Sequence, residues 1–152
     1  MKKIRNYFVL MMVALMSVAS FTSCNGDDDD DDPESPVGNS KIVGTWKAVH
    51  VISTCKENGK IVDQYDGPVE GTHIREFTSN GKLIVTDGSS VVTGVYVLSG
   101  DKLTGTSEYG ETEVLYVKKL DSKTLELEST FKETDNGYTH EDYLYIIFER
   151  LK

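Results

Sequence analysis

The sequence predicts an all-β fold, a small antiparallel up-and-down barrel of about eight strands. Three observations predict it. From Lys41 onward the chain is rich in Val, Ile, Thr, Tyr and Leu, whose branched or aromatic side chains suit a pleated surface. Turn residues recur at spacings of roughly 8–12 residues, the rhythm of short strands. No stretch keeps an apolar 3.6-residue period for three turns, so little helix is expected. Closing the ring removes the unpaired edges that an open sheet would leave.

The strands follow in order. The first spans about Val43 to Ser53. The turn Glu57-Asn58-Gly59-Lys60 leads into a short strand, Lys60 to Gln64. Thr72 to Thr78 ends at Ser79-Asn80-Gly81, where Asn-Gly accepts positive φ at both central positions and marks a hairpin. Lys82 to Thr86 returns, Asp87-Gly88 turns, and Val91 to Leu98 runs back. Ser99-Gly100-Asp101 then turns into Lys102 to Ser107, and Tyr109-Gly110 into Thr112 to Leu120. Asp121-Ser122 precedes Thr124 to Lys132, and Asp135-Asn136-Gly137 precedes Glu141 to Leu151. The glycines are read as turn residues that supply positive φ. Nearly every connection is hairpin-length, so sequence neighbours pair antiparallel.

Alternation assigns the faces. Leu125, Leu127 and Phe131 share one face, and Glu126, Glu128 and Thr130 the other, a half-buried strand. Two strands are apolar on both faces. Leu144, Ile146 and Phe148 oppose Tyr143, Tyr145 and Ile147; Val92, Tyr96 and Leu98 oppose Val91, Val95 and Val97. The outer faces need cover, either from within the monomer or from a protein partner or second copy.

Ahead of this region the chain reads as an address. Lys2, Lys3 and Arg5 precede an apolar run from Tyr7 to Phe21, the pattern of a secretory signal peptide. The run is shorter than the roughly 20 residues of a spanning helix. Thr22-Ser23-Cys24 resembles a bacterial lipobox. That resemblance implies cleavage before Cys24, lipidation of Cys24, and membrane attachment through the acyl chains. Residues 1–23 are then the leader, 24–40 a tether and 41–152 the barrel. The tether carries Asp27 to Asp32, a block of like charge that stays extended, followed by Pro33 and Pro36. An acidic stretch after the lipidated cysteine resembles the export signal of Bacteroidetes surface lipoproteins. It implies the cell-surface side of the outer membrane, the periplasm-facing leaflet being the alternative.

The charge balance agrees. Lys plus Arg is 16 against 25 for Asp plus Glu, a net of -9, and loss of the leader's three cations takes it to -12. Such a chain is not built for nucleic acid, which needs clustered cations.

Within the barrel region, Gly44-Thr45-Trp46 opens the first strand. Phe77-Thr78-Ser79-Asn80-Gly81-Lys82 and Gly94-Val95-Tyr96-Val97-Leu98-Ser99-Gly100-Asp101-Lys102-Leu103 form hairpins. Leu120-Asp121-Ser122-Lys123-Thr124-Leu125-Glu126-Leu127 precedes a closing Phe148-Glu149-Arg150. This succession resembles the lipocalin-like domain of many Bacteroidetes lipoproteins. The resemblance implies a calycin-type barrel in which Trp46 closes one end and Arg150 lies across it. It does not imply a ligand.

The remaining residues offer little chemistry. His50, His73 and His140 show no metal-pair spacing and are read as lone surface histidines. Cys55, the second of two cysteines, has no marked base beside it and is read as a small buried or capped thiol. Glu126, Glu128, Glu133, Glu141 and Asp142 are read as a solvated face. No nucleophile elbow or phosphate loop appears. The expectation is a non-enzymatic protein with no cofactor, no metal site and no catalytic residue. It would bind a small apolar or amphipathic ligand, entering opposite Trp46 and lined by Phe77, Leu125 and Leu127. The alternative is a cell-surface structural or protein-interaction module with a side-chain-filled barrel and no ligand.

Overall fold

The computed structural model describes residues 40–151. The expected leader, the expected lipidation point Cys24 and the expected tether up to residue 39 lie outside the described residues. Every regular element among the described residues is a strand: β1 (Gly44–Glu57), β2 (Lys60–Pro68), β3 (His73–Phe77), β4 (Lys82–Asp87), β5 (Ser90–Ser99), β6 (Lys102–Ser107), β7 (Thr112–Leu120), β8 (Thr124–Asp135) and β9 (Tyr138–Arg150).

From β3 to β9 each strand pairs antiparallel with the next. The long β1 closes the ring. Its first residues, Gly44 to Lys47, pair with β3, and Trp46 to Glu57 pair with β9. β1 and β3–β9 therefore make a closed antiparallel barrel of eight strands. The remaining strand, β2, hairpins onto the upper half of β1, from His50 to Glu57, on the side where β3 has ended.

Four strands run three or more residues past the ends read from the sequence, among them β2, which continues to Pro68. β1 continues to Glu57, β8 to Asp135, and β9 begins at Tyr138. Their ends are polar, so side-chain pattern gives no reason to extend them. Pairing does: β2, β1, β9 and β8 stand side by side as an apron above the ring. Asn58-Gly59 and Asn136-Gly137 make its tips, with φ of 49°, 76°, 47° and 83°. These are positive at both central positions of each hairpin, as a type I′ turn requires.

Asn80-Gly81 departs from that expectation. Only Gly81, at φ 80°, is left-handed. The Thr78 hydroxyl donates to Asn80 Oδ1 at 2.6 Å and accepts from the Lys82 N–H at 2.9 Å, which fixes a longer loop. A second departure is Gly94, which sits inside β5 rather than at a turn. A Cβ there would lie 2.2 Å from the Thr106 carbonyl oxygen of the paired strand, so only hydrogen fits.

The core fills the ring from the end where β1 begins. Trp46, Phe77, Tyr96, Leu103, Leu115, Leu125, Leu127, Ile146 and Phe148 are fully buried there. Phe77 and Tyr96 meet edge to face at 4.9 Å, and the Tyr96 hydroxyl donates to the Thr78 carbonyl. The two-sided strands differ in their outer faces. On β9, Tyr143 and Tyr145 are half-buried and donate to Glu128 and Glu126, so their cover is local. On β5, Val91, Val95 and Val97 stay exposed.

Candidate functional site: the mouth of the barrel

One end is sealed. The Trp46 indole donates to the Ile42 carbonyl at 2.8 Å, and Ile42 is itself fully buried. The Arg150 guanidinium lies 4.1 Å from the indole centroid and donates to the carbonyls of Val43 and Lys41. A cation held over an indole and bonded to two carbonyls stiffens the segment that plugs the end. Any opening lies at the other end.

Phe77, Leu125 and Leu127 were expected to line a ligand. The structure places all three in the packed core at 0–1% exposure. A void admitting one water would expose them, so they are floor rather than lining.

Above this floor the interior changes character. Arg75, buried at 8% exposure, donates to both oxygens of Glu113 at 2.9 and 3.1 Å. β3 and β7 stand opposite each other in the ring, so this fork crosses the lumen. The guanidinium also sits 5.9 Å from the Phe148 ring centroid, where the apolar core ends. Glu113 keeps 37% of its side chain exposed, so the pair faces solvent from one side.

The mouth lies beyond the pair. His73 follows Arg75 in lumen-facing parity on β3 and pairs with Asp87 of β4 at 3.0 Å. Ser53 and Ser129 flank Leu144 in register on β1, β8 and β9, sharing the parity of buried Val51, Leu127 and Ile146. Two rows higher, on the apron, Cys55 stands opposite Asp142, which stands opposite Phe131. His140 Nε2 meets Asp142 Oδ2 at 2.8 Å. Burial pushes the Cys55 thiol up to about 11, helped by its hydrogen bond to Asp142 and by the charges of Glu57 and Asp63. It is a protonated thiol at neutral pH, the reverse of an activated nucleophile.

The histidines are not alone: His50 pairs with Asp66 at 2.8 Å, His73 with Asp87 and His140 with Asp142. Asp142, expected on a solvated face, shares the parity of Leu144 and Ile146 and turns toward the lumen. Cys55 is half-buried. The Arg75–Glu113 pair has no local signature in the sequence, because its partners are 38 residues apart. The available signal was parity, since Arg75 alternates with Phe77 along β3. On the outer face, the hydrogen bond to Glu126 and burial push the Tyr145 hydroxyl up to about 12.

Two surface depressions lie away from the mouth. One of about 510 Å3 borders Lys41, Leu120, Asp121 and Arg150 at the sealed end. The other, of about 390 Å3, lies over the outer side of β5 and β6 beside Lys82, Val95 and Thr106.

A family model described as a lipocalin-like domain matches residues 42–127, more than half of the chain. No curated protein matches. Among solved structures, the chain is similar to an uncharacterized protein from Bacteroides eggerthii DSM 20697. The two are 14% identical, with a TM-score of 0.46 over 71% of this chain and 98% of that one.

Proposed function

The chain belongs to the lipocalin-like domain family, and on that premise we propose that it is a lipid-anchored, non-enzymatic binding protein of the outer membrane. Cys24 is the attachment point, residues 24–40 are the tether, and the barrel of 41–152 stands on the cell-surface side. Its ligand is small and amphipathic and sits in the mouth opposite Trp46. The observation that carries this reading is the change of lining at Arg75–Glu113. Below the pair the lumen is solid. Above it, half-buried Phe131 and Leu144 offer apolar contact, while His73, Glu113 and Ser129 offer hydrogen bonds. Ligand sites combine an apolar wall with a few convergent polar groups. A wholly apolar ligand has no place in the solid lower barrel, so the reading narrows to an amphiphile.

A second reading rests on the outer face of β5–β7. Val95 and Val97 of β5, with Val114 and Tyr116 of β7, are exposed. An apolar sheet face of this kind suits a protein partner or a second copy.

Native mass spectrometry of the protein recovered from outer membranes tests both. The expected result is a covalent acyl mass lost in Cys24→Ser, and a second mass released on denaturation and lost in Ser129→Phe. An unmodified chain contradicts the anchor. A chain without the releasable mass contradicts the ligand, and a dimer in that case favours the second reading.

A further inference from the structure

We propose that Cys55, His140 and Asp142 form a zinc site on the inner face of the apron. The Cys55 sulfur, a His140 ring nitrogen and an Asp142 carboxylate oxygen all lie within 4.8 Å of one another. Backbone register produces this convergence. Cys55 of β1 is directly opposite Asp142 of β9, and His140 lies two residues from Asp142 on the same face. β1 and β9 pair from Trp46 to Glu57, so both strands that carry the donors are held along their length. The Phe131 ring, centred 6.4 Å from the imidazole, adds a wall on the β8 side.

The donor set selects the ion. A thiolate, an imidazole and a carboxylate suit a borderline-soft divalent ion, and a thiolate disfavours calcium and magnesium. Zinc bonds of about 2.0–2.3 Å give a tetrahedron with edges of about 3.5 Å. Side-chain rotation is enough to reach that from donors already within 4.8 Å. Binding displaces the Cys55 proton to solvent: thiol plus Zn2+ gives the zinc thiolate and H+. Glu57 opposite His140 and Asp63 opposite Cys55 surround the site with negative charge that favours a cation. Three protein ligands leave the fourth position to water, as in an open zinc site. The site does not depend on the mouth taking an organic ligand.

Cobalt titration of the full chain tests this, because a cobalt thiolate has a charge-transfer band that a carboxylate cannot give. The expected result is one Co2+ bound with that band and with four-coordinate visible bands, both displaced by Zn2+. Cys24→Ser keeps the band, which excludes the other thiol, and the band itself excludes the Asp27–Asp32 run, which holds only carboxylates. Cys55→Ser removes it. His140→Ala and Asp142→Asn weaken binding by at least about tenfold, no less than the loss of a group that merely orients a metal ligand. His50→Ala leaves it unchanged. Saturating Zn2+ raises Tm for the wild-type chain and not for Cys55→Ser, whose own melting transition reports that it folds. Wild-type chain without the band, a band that survives Cys55→Ser, or binding indifferent to both His140→Ala and Asp142→Asn overturns the proposal.

Discussion

Trp46 and Arg150 show how much a single position can hold. The indole is wholly buried, hydrogen-bonded to Ile42 and covered by the guanidinium. Trp46→Ala is expected to cost about 3–5 kcal/mol in urea denaturation, the range for a buried aromatic. Arg75–Glu113 is a different case. Glu113→Gln leaves a buried guanidinium short of its counter-charge and should cost about 1–3 kcal/mol, reduced because Glu113 is partly exposed. The double change Arg75→Met with Glu113→Leu is expected to recover most of that loss, since apolar replacement of a buried pair is often neutral. Recovery absent from the denaturation curves would mean the pair does more than satisfy itself. Cys55 gives a pH signature. Its thiol is raised from an ordinary 9.0 to about 11, so between those values the unfolded chain gives up a proton that the fold keeps. Stability is therefore full below about pH 9 and falls as pH rises toward 11. Cys55→Ser should flatten that limb of the melting profile. Trp46 and Arg150 were legible from a motif at each end of the barrel sequence. Arg75 and Glu113 were not, because no local pattern joins residues on opposite walls.

The strands were legible because turn chemistry recurs and alternation marks faces. Their ends were not. β1, β8 and β9 run on through Lys56-Glu57, Glu133-Asp135 and Tyr138-His140, where polarity on both faces resembles loop. What keeps these residues in strands is pairing with a neighbour on the next strand, which composition does not display. The apron, and with it Cys55, His140 and Asp142, was hidden for this reason. Gly94 belongs to the same scale. Gly94, a glycine inside β5 rather than at a turn, leaves no space between itself and β6. Gly94→Ala is expected to cost about 1–3 kcal/mol or more by thermal melting, since the atom it would strike is backbone and cannot rotate away. Gly59→Ala, at an open turn position with φ 76°, should cost less.

Across the whole molecule, ring closure sets the space that is left inside the barrel. Eight strands enclose a lumen just wide enough for side chains, and here the lower part is filled by them. Higher up, β1, β8 and β9 outrun their neighbours, and their inner faces turn mixed, with Ser53, Ser129 and Asp142 beside Leu144 and Phe131. Closure and strand order were legible in the sequence. The depth of the filled region was not, since parity on most strands was ambiguous until register fixed it. The central proposal is a solid floor beneath a mixed-polarity mouth that receives an amphiphile. Amide chemical-shift mapping with octyl glucoside, kept below its micelle concentration, tests it most directly. Saturable shifts clustered at His73, Asp87, Glu113 and Ser129, with Trp46 and Val97 unmoved, are the predicted result. Shifts centred on Val95, Val97 and Tyr116, or none at saturating probe, would contradict it.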